Sequence, residues 1–313
     1  MDIRTVADRL RFLLHSSLAK STVLGYKRAW TLFVNCMMCM NIAFLGLDSL
    51  PLSINQILIF VGYLNLLSYA PASIATYVSA IGYIHKIKGV TDPTQSYKVQ
   101  KMIAAVVKVD NRKDSRLPIT INILFRLVSS LQHTTKHPYY RSMFRAMYTV
   151  SFFGLMRMGE ITRDKFGKVP VFFNQLKFYK DYIVITITDF KHNDSGKPFD
   201  IVLTRNTNKI ICPVNALYTY IKYRGVKHGP LFCFPDMTSV PREFYSNQLK
   251  SNLEFCGLDP NLYQTHSFRI GCCSYLALLG WSDSQIRNIG RWKTNDFIRY
   301  IRCERLIRSL KSK

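Results

Sequence analysis

DYIVITITDFKHNDSGKPFDIVLT, residues 181–204, decides the fold class. Its first eight residues alternate and are rich in β-branched side chains, as in a strand with one buried face. Asn193-Asp194-Ser195-Gly196 reads as a turn, and PFDIVLT, residues 198–204, as a returning strand, so the stretch is an antiparallel hairpin. Most of the surrounding chain reads as helix. The expected class is mainly α with a small antiparallel β-sheet.

Upstream, Ser21-Thr22 is placed to cap a helix that carries Tyr26, Trp30, Phe33 and Val34 at helical spacing. Ser53 opens a second helix with Ile57, Phe60, Val61 and Leu64 on one side. Pro71 breaks the chain, and PASIATYVSAIGYIHKIKG stops at Gly89, a residue suited to a helix end. SYKVQKMIAAVVKV makes a fourth helix. DNRKDSRLPIT, residues 110–120, is polar, charged and proline-containing, and reads as a linker. Thr120 then caps INILFRLVSSL, and HPYYRSMFRAMYTVSFFGLMRMGEI is an apolar, buried helix. After the hairpin, Pro213 suits the first position of a helix and Ser282 with Gln285 forms a capping box. A chain of 313 residues favours two domains. They are expected over residues 1–110 and 121–313, joined by 111–120.

Hydrophobic residues make up 48% and charged residues 20%, a composition that excludes a disordered chain. The charge is unbalanced: 43 Lys and Arg against 19 Asp and Glu, a net +24. That excess is spread over the whole length and points to a polyanionic partner, nucleic acid above all. Cys36 and Cys39 form a C-x-x-C, a spacing that suits zinc or a redox pair, but nothing nearby completes a site and the surrounding helix is apolar, so core packing is expected. The other cysteines are scattered, as in a reduced intracellular protein. The start, MDIRTVADRLRFLLHSS, lacks the apolar region of a secretory signal. The longest apolar run, residues 54–67, is interrupted by Asn55, Gln56 and Asn65 and is too short to cross a bilayer. A soluble intracellular protein with no membrane partner is expected.

DNA strand exchange without a metal needs an in-line nucleophile, fixed cations for the charge that develops on phosphate, and a proton donor for the departing oxygen. Arginine suits the cation role because its planar fork grips phosphate in two places. The chain offers Arg157 in GLMRMGEI at the end of a buried helix, with Glu160 three residues on to hold it. His266 and Arg269 in THSFRIG share one face of a helix start. Lys191 lies where the hairpin enters its turn, with Lys197 across the same turn as its rival. Tyr300 lies in GRWKTNDFIRYIR between Arg299 and Arg302.

GLMRMGE, HSFRIG and GRWKTNDFIRYIR resemble the three C-terminal boxes of the tyrosine recombinases, or phage-type integrases. STVLGYKRAWTLFVNC and ASIATYVSAIGYIHKIKG resemble that family's helical core-binding domain, so the likeness covers about residues 15 to 305. The HSFRIG and GRW…YIR wording is most similar to recombinases of eukaryotic mobile elements such as Cryptons and DIRS-like elements. The resemblance implies a two-domain clamp on double-stranded DNA, with a core-binding domain over 1–110 and a catalytic domain over 121–313. It implies that Arg157 and Arg269 clamp the scissile phosphate, Lys191 protonates the leaving 5′ oxygen, His266 assists proton transfer or binds phosphate, Glu160 buttresses the site and Tyr300 forms a 3′-phosphotyrosine. Many members carry His, and a few Trp, nine residues before the tyrosine; here that position is Arg291, and Trp292 is eight before. Arg291 to bind phosphate and Trp292 to pack on the tyrosine both stand as readings of the sixth position. No cofactor or metal is implied. A tetramer on DNA is, with the tail IRCERLIRSLKSK docking on a neighbour, and the nucleus as location in a eukaryote.

A type IB topoisomerase shares this chemistry, but the recombinase-like first domain argues against it. A domesticated recombinase kept as a DNA-binding regulator would tend to lose Tyr300 or an arginine, and the set is intact. Binding to a duplex is expected to weaken steeply with salt, the logarithm of the constant falling by about 0.9 per phosphate neutralised for each decade of salt. A fluorescence-anisotropy titration checks this, and a flat profile contradicts a phosphate clamp.

Overall fold

A computed structural model of the chain describes residues 3–110, 112, 114–165, 170–190, 193 and 196–302. It divides into two units, Met1–Lys113 and Asp114–Lys313.

The first unit is helical: α1 (Ile3–Ser16), α2 (Lys20–Cys39), α3 (Ile54–Leu66), α4 (Pro71–Lys88) and α5 (Tyr97–Val109). Phe33, Phe60, Val61, Ile74, Ile81 and Val99 form its core. Ser53 Oγ accepts the Gln56 N–H at 3.2 Å while Gln56 Oε1 accepts the Ser53 N–H at 2.8 Å, a closed capping box for α3. Gly89 ends α4 in the left-handed region at φ 68°, and the Ser96 hydroxyl caps α5. The start of α2 departs from the sequence reading. Ala19, with no side-chain cap, precedes the helix, and Ser21 and Thr22 lie inside its first turn. The Ala19 carbonyl accepts the N–H groups of Thr22 and Val23, so extended backbone at residue 19 sets the start without a side-chain oxygen. Cys36 is buried in the core, which pushes its thiol up to about 11 with Cys39 adding to the shift, whereas Cys39 is exposed. Among the described residues no cluster of three or more His, Cys, Asp and Glu is placed to hold a metal, and no helix is long and apolar enough to cross a membrane.

The second unit is built around α7 (Pro138–Phe153), which buries Phe144, Met147, Tyr148, Val150 and Phe152. Packed against it are α6 (Ile121–Thr134), α9 (Pro213–Arg224) and α11 (Ser267–Leu278), with α10 (Arg242–Phe255) against α6. Two short helices, α8 (Met158–Ile161) and α12 (Asp283–Ile289), and a 3-10 turn at Asn295–Tyr300 complete the helical framework. Thr120 caps α6, Pro213 opens α9, and Ser282 with Gln285 boxes the start of α12.

The sheet is antiparallel in the order β1 (Leu176–Phe178), β2 (Tyr182–Ile187), β3 (Phe199–Thr204). Ile183, Ile185 and Ile187 alternate into the core with Ile201 and Leu203. The register runs from Tyr182 opposite Thr204 to Ile187 opposite Phe199, with the described residues 188–190, 193 and 196–198 forming the connection. Asn193 Nδ2 ties its two sides together, donating to the Thr188 carbonyl at 2.6 Å and the Lys197 carbonyl at 2.9 Å. The third strand, β1, has only three residues, too few for an alternating pattern to show.

Some of the stretch read as a linker is bonded into the second unit. The Leu117 N–H donates to the Leu262 carbonyl at 2.7 Å and the Ile119 N–H to the Ser267 carbonyl at 3.0 Å. This brings the backbone of Ile119 against α11 at Gly271, where a Cβ would sit 1.8 Å from the Ile119 oxygen. Only glycine fits without moving the backbone of one element. Gly271→Ala is expected to destabilise the protein by about 3 kcal/mol, measured by urea denaturation; a loss below about 1 kcal/mol would mean that the approach relaxes freely.

Candidate active site

The site begins where α7 ends. After Gly154, Leu155 takes φ +46°, a left-handed conformation unusual for a branched side chain, and is fully buried. Its carbonyl is thereby available to two guanidinium groups: Arg269 Nη1 donates to it, and so does Arg291 Nη2, at 3.1 Å. Arg157 follows in extended backbone at the start of α8. Glu160, only 6% exposed, receives three bonds. Its Oε2 accepts the Arg157 N–H at 2.8 Å and Arg291 Nη2 at 2.8 Å, and its Oε1 accepts Arg157 Nη1 at 3.2 Å.

His266 and Arg269 come from the start of α11, His266 just before its first residue and Arg269 in its first turn. Arg269 is 1% exposed, and Nη2 also donates to the Gly290 carbonyl at 3.1 Å. Its guanidinium carbon lies 4.4 Å from the centroid of the Trp292 ring and 6.0 Å from that of Tyr300. Burial, with Arg157 and Arg291 adding, lowers its pKa to about 10, so it stays charged at neutral pH. Tyr300 ends the 3-10 turn; its ring centroid is 5.3 Å from Trp292 and 5.8 Å from His266.

The chain between α12 and Tyr300 shows how adjacent residues take opposite directions. The Trp292 N–H donates to the Arg287 carbonyl and the Arg291 N–H to that of Asn288, the bonding of a Schellman ending. Glycine usually occupies the left-handed position of that motif, but here Arg291 does, at φ +58°. The glycine stands one residue earlier because the Trp292 ring packs over it: a Cβ on Gly290 would lie 1.4 Å from a ring carbon. Left-handed backbone costs a non-glycine residue about 1 kcal/mol. The ion pair of Arg291 with Glu160 holds it there.

The fold therefore brings together Arg157, Glu160, His266, Arg269, Arg291, Trp292 and Tyr300 from four separate stretches. Arg291 turns inward onto Glu160 with its side chain 1% exposed, while Trp292 lies against Arg269 and Tyr300. Lys191 lies outside the described residues; Lys197 is exposed, two residues before β3. Arg116 and Arg242, not singled out in the sequence, add to the positive field at His266. Neither stands in a recognisable pattern. The Leu155 carbonyl, as a backbone group, leaves no residue-type signal.

That field fixes a pH response. Burial first, and then Arg269, Arg116, Arg157 and Arg242, push the pKa of His266 down to about 4. An unfolded histidine protonates near ~6.5. Between these values the unfolded chain binds a proton that the folded chain refuses, so stability falls as pH drops through that window. In urea denaturation between about pH 7 and pH 4.5, His266→Gln should lose stability less steeply than the parent; identical slopes would refute the burial of a neutral imidazole here.

No protein-family model and no curated protein matches the chain in sequence. Solved structures match it in shape. The integrase of transposon Tn1549, in complex with transposon right-end DNA, superposes with a TM-score of 0.65 over 98% of this chain and 97% of its own, at 13% identity. The XerH site-specific recombinase bound to a palindromic difH substrate gives 0.62 over 86% of this chain and 73% of its own, at 15% identity. A lambda integrase dimer bound to a COC′ core site gives 0.57 over 97% of this chain and 78% of its own, at 11% identity. The chain shares the fold of the tyrosine recombinases.

Proposed function

We propose that this chain is a site-specific DNA recombinase or integrase that cuts and rejoins strands through a 3′-phosphotyrosine on Tyr300. The observation that carries the reading is the placement of the Tyr300 ring 5.8 Å from the His266 ring and 6.0 Å from the Arg269 guanidinium carbon, beside the Arg157–Glu160–Arg291 network. These are a nucleophile, a neutral imidazole and fixed cations, the groups that the reaction needs. The DNA-bound integrases and recombinases that share the fold support the same reading.

In this reaction the Tyr300 oxygen attacks phosphorus in line, the P–O5′ bond breaks, and the phosphotyrosine keeps the bond energy for rejoining. Arg157 and Arg269 stabilise the charge that develops on the non-bridging oxygens. His266, neutral at pH 7, takes the phenol proton or binds phosphate. Lys191 supplies the proton to the 5′ oxygen, with Lys197 as the rival donor. The sixth position goes to Trp292, whose ring lies against Tyr300 and Arg269, while Arg291 Nη2 is bonded to Glu160 and the Leu155 carbonyl. The same steps run backwards when a 5′ hydroxyl attacks the phosphotyrosine.

The partner is double-stranded DNA carrying recombination sites, gripped by a core-binding domain over 1–110 and a catalytic domain over 121–313, with 111–120 between. Two duplexes and four tyrosines make a tetramer the working assembly. The tail, which lies outside the described residues beyond Arg302, docks on a neighbouring subunit. The setting is the integration or excision of a mobile element of Crypton or DIRS-like type, inside the cell and, in a eukaryote, in its nucleus.

The test is a nicked suicide duplex carrying the element's own ends, resolved on a denaturing gel. A DNA-linked protein band is expected from the parent and none from Tyr300→Phe. A protein that binds this duplex yet forms no band would be a DNA-binding regulator on a recombinase scaffold.

A further inference from the structure

The segment that ends in Tyr300 is a 3-10 turn with Phe297 buried in the core, and beyond it the Ile301 N–H donates to the Ile298 carbonyl. The chain just after it is held from two other places. On α11, the Ser274 hydroxyl donates to the Tyr300 carbonyl at 3.1 Å and accepts the Arg302 N–H at 2.8 Å, gripping the peptides on both sides of Ile301. At the first residue of the second unit, Asp114 takes the Arg302 side chain: Nη2 donates to Oδ2 at 2.7 Å and Nη1 to the Asp114 carbonyl at 3.0 Å. Arg116 forks the same carboxylate from its other side, Nε to Oδ1 at 2.8 Å and Nη2 to Oδ2 at 2.9 Å. Four hydrogen bonds thus fix the chain immediately after the tyrosine, and two arginines compete for one acid.

We propose that Asp114, Ser274 and Arg302 form a clamp that sets the position of Tyr300, and that Asp114 is a positioning residue for the nucleophile. The inference rests on Tyr300 being that nucleophile. In-line attack tolerates little displacement, since a misplacement of about 1 Å costs on the order of 100-fold in rate. Asp114 acts in two ways at once. It anchors the tyrosine segment through Arg302, and its negative charge offsets two cations that attract the phosphates of a bound duplex. The arginines keep its carboxyl down at about 2, bonding by Arg116 being the largest cause, so the clamp stays charged throughout the neutral range.

The double role gives a signature that simple destabilisation does not. Asp114→Asn should bind duplex DNA as tightly as the parent or more tightly, because one negative charge is removed beside Arg302 and Arg116. It should cleave a saturating suicide substrate about 10- to 100-fold more slowly in a single turnover. Asp114→Glu should recover most of the rate, and Ser274→Ala should lose rate without gaining affinity. Hydrogen exchange on the DNA-free protein supplies a readout that does not depend on the chemistry: the Arg302 amide should exchange about 10-fold faster in Asp114→Asn, with global unfolding unchanged. An Asp114→Asn protein that cleaves at the parental rate, or whose Arg302 amide exchanges at the parental rate, overturns the clamp. If the parent itself forms no covalent band, the recombinase reading fails, and the exchange rates still decide whether the clamp exists.

Discussion

One carboxylate makes the centre of the second unit possible. Arg269 and Arg291 are almost wholly withdrawn from water and Arg157 largely so, and Glu160 lies among them. Burying a guanidinium is unfavourable unless charge and hydrogen bonds are returned to it, and three together repel one another. Glu160 bonds two of them directly and lowers the potential felt by the third, Arg269. The Leu155 carbonyl then links Arg269 to Arg291. Without that carboxylate, the start of α8, α11 and the turn after α12 would each bring an uncompensated cation to one buried place. The left-handed turns at Leu155 and Arg291 are held from this same point, one by the carbonyl it presents and the other by the ion pair it makes.

Local rules made much of the fold legible. The hairpin was visible because β2 is rich in β-branched residues and β3 buries alternate ones, Ile201 and Leu203, on either side of a turn-forming stretch. Ser53, Gly89, Ser96, Thr120, Pro213 and Ser282 stand at helix ends because each satisfies a backbone group or adopts a backbone angle that the end requires. The start of α2 was misplaced because Ala19 turns the chain without a side-chain cap. Strand β1 escaped because three residues carry no period. The packing of residues 117–119 on α11 was hidden because it depends on Gly271, far along the chain, and on backbone bonds that composition does not record.

The site was legible to a different depth. His266 and Arg269 are a pair at helical spacing, so local geometry announces them; Arg157 and Glu160 are paired otherwise than expected, because the helix read through residues 137–161 ends at Phe153 and Arg157 stands in extended backbone ahead of α8. That the pairs meet depends on the tertiary fold. Counting residues does not show how Arg291 and Trp292 are directed, because a left-handed residue reverses the direction of its neighbour. With Arg291 at φ +58° its side chain turns to Glu160, and the next side chain turns to Tyr300. Asp114 lay in a stretch whose polarity resembles any linker, and its bonds to Arg302 span most of the second unit.

The cover over Arg269 has a consequence for selectivity. Its cationic face lies beneath Trp292, with Tyr300 alongside, and the residue is 1% exposed. An anion that seeks this arginine meets the Trp292 ring, which is attracted to the cation it covers. Inorganic phosphate or a free nucleotide brings only its own charge to that exchange. A long duplex brings contacts along its whole length, and binding energy gathered away from the reacting phosphate can be used to open the cover. For a protein with the proposed function, such a cover would favour a polymer over small phosphate compounds by energy rather than by size.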